Sequence, residues 1–153
     1  MRSNIVLRYG KKDALSMLIE HDDIQLLAKF RREIRRFLQF SDQAAASVGL
    51  QPQQHQLLLQ VARAPDGTLI TIGYIADVMG LRHNTAVELS KRCELAGLVS
   101  RTHDPNDRRC VVLKLTTLGN RALRQLSDVH SRQLRELAPS LIQALTRIRN
   151  STP

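Results

Sequence analysis

A mainly α-helical chain carrying one small β-hairpin is predicted by three features of the sequence. Two long stretches near the chain ends repeat apolar residues at three- and four-residue steps. Two short helical stretches in the middle meet at Gly80-Leu81, a tight turn. Finally, the turn-forming Asp104-Pro105-Asn106-Asp107 leads through Arg108 and Arg109 into the alternating run Val111 to Leu115. Two short helices followed by a basic-tipped hairpin outline a winged helix-turn-helix. The helices from both termini are then left over to form a helical dimerisation region.

The elements follow in order. Residues Met1 to Gly10 show little periodicity and are expected to be an arm, and Asp13 to Glu20 suit a short helix with Leu15, Leu18 and Ile19. A long helix is expected from about Asp22 to Val48. Its stripe is Leu27, Phe30, Ile34, Phe37, Ser41, Ala44 and Val48, with Gly49 as its C-cap. Pro52 opens the next helix at its first turn, and Leu58, Leu59 and Ala62 face inward up to the Pro65-Asp66-Gly67 turn. A short Leu69-Ile70 strand precedes a helix from Ile72 to Met79. After Gly80-Leu81 a second helix runs from about His83 to Ala96, ended by Gly97. Leu98 to Thr102 pair with the Val111 to Leu115 strand, in which Val111, Leu113 and Leu115 share one face. Thr116 caps a last long helix with a stripe of Leu118, Ala122, Leu126, Val129, Leu134 and Leu137, and Pro139 is expected to break or restart it.

Composition narrows the function classes. The formal net charge of +9 favours a polyanionic partner, nucleic acid or an anionic membrane surface. Between Arg82 and Arg109 there are six basic residues against four acidic ones, and denser basic runs lie elsewhere, so charge alone does not locate a reader. Aromatic content of 3% with no Trp argues against stacking platforms for single strands. Cys93 and Cys110 make no disulfide framework, and there is no secretory segment and no membrane-length apolar run, so the expected compartment is the cytoplasm with no membrane partner. His21, His55, His83, His103 and His130 are scattered without metal-ligand spacing, so no metal and no cofactor are expected. His21 with Asp22 and Asp23 suits a helix N-terminus. No activated nucleophile, carboxylate pair or glycine-rich phosphate loop marks an enzyme.

Three segments carry a family resemblance: Ile72-Gly73-Tyr74-Ile75-Ala76-Asp77-Val78-Met79-Gly80-Leu81, then Leu95-Ala96-Gly97-Leu98-Val99, then Asp107-x-Arg109-x-x-x-Leu113-x-Leu115-Thr116 with Gly119. With them the chain resembles the MarR family of bacterial transcription regulators. The resemblance implies a homodimer on pseudo-palindromic double-stranded DNA and a small-molecule pocket between dimer helices and reading lobe. It implies one MarR-like domain over 1–153, with about 1–48 and 117–153 as dimerisation helices and about 52–116 as the DNA-binding lobe.

On the second central helix Ala86, Leu89 and Cys93, with Leu98 beyond it, repeat at core spacing, while His83, Asn84, Val87, Glu88 and Lys91 lie opposite. A helix fits the major groove. There Asn84 suits adenine, Thr85 or Val87 a thymine methyl, and Lys91 and Arg92 phosphate or guanine, with Arg82 beside them. Glu88 has two readings, an acceptor for a cytosine amino group or the far end of a Thr85-x-x-Glu88 capping box. At the wing tip Arg109 is the expected minor-groove residue, aided by Arg108 and with Asp107 shaping the loop; the plainer reading is a solvated turn. Arg101 and His103 are further phosphate candidates.

The two arginines that precede Cys110 would lower its thiol pKa and make a redox switch, although a strand-start cysteine is ordinarily just a small residue. Phe30, Ile34, Phe37, His55 and Leu59 suit a cavity wall, with Arg31 and Arg35 placed to pair with a small anionic aromatic effector; core plus a solvated basic face is the alternative. The expected function is a ligand-responsive repressor. The alternatives are a winged-helix assembly module for protein partners and a nonspecific architectural DNA binder.

Overall fold

The computed structural model describes residues 11–64 and 67–150, with 11–23 as backbone path only. The expected arm at Met1 to Gly10 and most of the Pro65-Asp66-Gly67 turn lie outside these. In chain order the elements are α1 (Lys11–Ser47), α2 (Pro52–Arg63), α3 (Ile72–Met79), α4 (His83–Leu95), β1 (Val99–His103), β2 (Val111–Leu115) and α5 (Thr117–Asn150). The mainly helical fold with a two-stranded antiparallel hairpin is as the sequence predicts.

Four expectations change. The first two helices are one, α1, which passes through His21, Asp22 and Asp23 without a break, so His21 does not mark a helix start. Pro139 lies inside α5 and does not end it. A proline removes one amide donor, that to the carbonyl four residues back, and in a helix of 34 residues the turns on either side hold the path. The Leu69-Ile70 strand shrinks to a single bridge between Thr71 and Val112, beside a bond from Leu113 N–H to the Ile70 carbonyl at 2.8 Å. On α2 the inward face is His55, Leu57, Leu58 and Val61, while Leu59 and Ala62 face water.

The described residues divide into two compact units, one within 40–131 and the other made of 11–39 with 132–150. The first unit therefore takes in the end of α1 and the start of α5 as well as the central elements. Leu57, Leu58, Ile75, Leu89, Leu113 and Leu126 are fully buried in its core. Local chemistry fixes its joints. Thr71 caps α3 by accepting from Tyr74 N–H at 3.1 Å. Gly80 ends α3 with φ +62°, a left-handed conformation open to glycine without strain. Thr116 accepts from Gly119 N–H at 3.1 Å and donates to the Gly97 carbonyl at 2.6 Å, which ties the start of α5 to the end of the α4 turn. A Cβ at Gly119 would overlap the Leu98 carbonyl oxygen, so only glycine permits this approach.

In the second unit, Ile24, Leu27, Ile34 and Leu38 on α1 and Leu134, Ile142, Leu145 and Ile148 on α5 are all more than a third exposed. Several residues assigned to the α1 and α5 stripes, Leu27, Ile34, Leu118 and Leu134 among them, thus stand in water in the single chain. Glu33 is buried instead, accepting from Arg36 at 3.3 Å with Arg32 at 3.7 Å. No described helix is long and apolar enough to cross a membrane.

Candidate nucleic-acid interface

The core face of α4 is the one the periodicity predicts: Ala86, Leu89 and Cys93 are buried, and Leu98 follows them into the core. Burial raises the Cys93 thiol pKa to about 11, with Arg92 opposing. Arg82, His83, Asn84, Thr85, Glu88, Lys91 and Arg92 remain exposed and form the other face. Val87 differs. It is half-buried and packs against the core, because it falls one residue after Ala86 on the helix shoulder.

Helix α4 begins with Arg82 as an extended N-cap and no side-chain cap. Thr85 is three residues inside the helix, so Thr85 and Glu88 do not form a capping box. Glu88 accepts from Lys91 at 2.8 Å, one turn further on. That bond, then the Lys91, Arg92 and Arg101 charges, holds the Glu88 carboxyl below its ordinary pKa. The exposed face of α4 thus carries an ionised carboxylate among its cations.

The hairpin pairs Val99 with Leu115, Arg101 with Leu113 and His103 with Val111. Its tip is built by aspartates. Asp104 is buried and accepts from Asn106 N–H at 2.8 Å, while Asp107 accepts from Arg109 N–H at 3.0 Å. The Arg109 Nε lies 3.8 Å from the same Asp107 oxygen, yet its side chain is 96% exposed and projects from the tip. His103 Nδ1 donates to the Arg108 carbonyl at 2.8 Å, fixing Arg108 beside it. Asp107 therefore shapes the loop and leaves both arginine side chains outward.

Cys110 departs from its expected behaviour. The thiol donates to Asp107 Oδ2 at 3.5 Å, and this bond raises its pKa, with the Asp107 and Asp104 charges adding and Arg109 opposing more weakly. The turn brings a carboxylate closer than the arginines that precede it in sequence. A thiol held protonated is a poor nucleophile.

Of the residues expected at an effector pocket, four fall together on α1. Phe30, Arg31, Ile34 and Arg35, with Leu38, line a concave patch of about 380 Å³ along α1. Phe37, His55 and Leu59 are not among its lining residues. His55 is buried in the other unit, its ring 5.0 Å from that of His130. His130 in turn bonds the Leu126 carbonyl at 2.6 Å and the Ser41 hydroxyl at 2.8 Å. This histidine pair has no local sequence signal, because its members come from α2 and α5. Among the described residues no group of three or more potential ligands is placed to hold a metal ion.

Comparison with known proteins agrees with the family resemblance. Residues 48–109 match the MarR family model, and no curated protein matches the chain by sequence. Solved structures share the fold. A MepR–DNA complex from S. aureus is 22% identical, covering 80% of this chain and 95% of MepR, with a TM-score of 0.62. AbsC, a MarR family transcriptional regulator from Streptomyces coelicolor, is 17% identical over 94% of this chain and 92% of its own, with a TM-score of 0.65. CouR from Rhodococcus jostii RHA1, bound to p-coumaroyl-CoA, is 23% identical over 79% of this chain and 84% of its own, at 0.62.

Proposed function

From the MarR-family match over residues 48–109 and the shared fold, we propose that this chain is a sequence-specific transcription regulator of double-stranded DNA, a ligand-responsive repressor acting as a homodimer on a pseudo-palindromic operator in the cytoplasm. One observation carries the reading. A single packed lobe presents both the polar, cationic face of α4 and a wing whose tip arginine is almost wholly in water. A major-groove helix flanked by a minor-groove arginine reads base edges and groove shape together.

In this reading Arg82, His83, Asn84, Thr85, Lys91 and Arg92 dock α4, and Arg108 and Arg109 engage the backbone and minor groove. Glu88, ionised and exposed, selects against phosphate and for a cytosine amino group. The uncapped first turn of α4 leaves amides that suit a phosphate oxygen. The apolar residues left in water on α1 and α5 support a dimer, which would set two recognition helices about one DNA turn, roughly 34 Å, apart. Arg31 and Arg35 beside Phe30, Ile34 and Leu38 suit a small anionic aromatic effector, a class akin to the acyl-CoA thioester held by CouR. A ligand preferring one helix spacing would shift the population of DNA-competent dimers.

The test is fluorescence anisotropy on the upstream intergenic duplex and a scrambled one across a salt series, with Arg109→Ala alongside. Preference for the upstream duplex by about a thousandfold, reduced in the mutant, is the expected result. Equal, steeply salt-dependent binding to both duplexes would mark an architectural binder. No binding at low salt would move the protein to the assembly-module class.

A further inference from the structure

Arg101 does not sit where a phosphate contact would. It follows Val99 by two residues on β1, so its side chain shares the Val99 face, and its cross-strand neighbour is Leu113. Both of those residues are buried. Only 19% of the Arg101 side chain is exposed, and its Nη1 donates to Glu94 Oε2 at 3.2 Å. Its Nε is buried without an acceptor. Glu94 is placed just as tellingly. It lies in the last turn of α4, the negative end of the helix dipole, where a carboxylate is disfavoured unless a cation answers it. Arg101 is that cation, and it comes from the first strand of the wing.

We propose that Glu94 and Arg101 form a strut fixing the wing to the recognition helix, which makes Arg101 a positioning residue of the DNA reader. The proposal rests on the reading that α4 and the wing dock on one duplex together. The strut joins the two docking elements across the only turn between them, Ala96 to Leu98. A rigid spacing lets Arg109 find the minor groove when α4 enters the major groove, without an ordering cost on binding.

The sign of one substitution separates the strut from bulk electrostatics. Glu94→Gln removes a negative charge from a DNA-facing lobe, which by Coulomb attraction alone would tighten binding. The strut predicts the opposite, a weakening of upstream-duplex binding by about threefold to thirtyfold. Arg101→Gln is expected to weaken it equally while leaving the slope of log K against log salt unchanged; a lost phosphate contact would lower that slope by about one. The charge swap Glu94→Arg with Arg101→Glu is expected to restore binding. Amide hydrogen exchange on the free full-length variants is the companion readout, with faster exchange of the β1 and β2 amides expected in both single variants and recovery in the swap.

Unchanged or tighter binding by Glu94→Gln, or a salt slope lowered in Arg101→Gln, would overturn the proposal. Should the wild type prefer no duplex, the DNA-reading assignment fails by itself. Exchange then decides the strut: unchanged hairpin protection in Glu94→Gln overturns it, and loss with recovery in the swap supports it.

Discussion

The two units of the molecule solve the burial problem in opposite ways. Residues 40–131 close a core on themselves, with leucines and isoleucines from α2, α3, α4 and β2 at or near zero exposure. The α1 and α5 segments outside it leave Ile24 and Ile142 each more than 60% in water. Apolar area returned to water costs about 25 cal/mol per Å², so exposed helix faces of this kind call for a partner surface. One unit closes its own core, and the other leaves apolar helix faces in water.

Perturbing the closed unit should give the largest stability change. Leu89→Ala deletes a fully buried side chain and is expected to lower lobe stability by about 2–5 kcal/mol in a urea melt. A loss below about 1 kcal/mol would mean the core is looser than its burial implies. Thr116→Val removes the hydroxyl that joins Gly97 to Gly119, at an expected cost of about 1–2 kcal/mol by the same measurement.

A smaller effect follows from pH. Burial, reinforced by His130 and opposed by Asp42, holds His55 below its ordinary value of 6.5. A folded pKa below the unfolded one means that the folded lobe resists protonation. The contribution is therefore complete above about pH 6.5 and lost as pH falls through that value towards the pKa of His55 itself. Urea midpoints should drop between about pH 7 and about pH 5, and drop less in His55→Gln. Parallel curves would remove His55 from the account.

The smallest stability effect belongs to the open unit. Ile142→Glu with Leu145→Glu should move the lobe's melt by no more than about 0.5 kcal/mol, since both residues are already exposed. On the proposed homodimer, the same pair should halve the mass seen by sedimentation. A double variant that keeps the dimer mass would show that the seam lies elsewhere.

Much of the closed unit is legible in the sequence because its signals are local. Turn chemistry and two-residue alternation place the hairpin within a residue, and core spacing along α4 picks out Ala86, Leu89 and Cys93. Errors arise where a local signal meets a longer-range one. Pro139 and the Glu20–Asp22 region look like helix punctuation, yet cooperative propagation carries α1 and α5 through them. Thr85 and Glu88 have capping-box spacing, which is also ordinary helix-interior spacing, and the acid finds Lys91 instead.

Neighbours in sequence mislead at Cys110, where a turn substitutes Asp107 for the arginines. Arg101 could have been placed by period alone, since Val99 two residues earlier is plainly core. The meeting of His55 with His130 and the burial of Glu33 depend on tertiary packing, which one sequence does not display.

Glu88 holds Lys91, an exposed cation that the lobe would otherwise offer to any polyanion. Chromosomal DNA is mostly wrong sites, and a regulator with every cation free would spend its time on them. On the proposed DNA reading, keeping Lys91 answered by Glu88 would lower the lobe's residence on random sequence. A salt slope on scrambled DNA shallower than the lobe's count of basic residues would be the signature of that restraint.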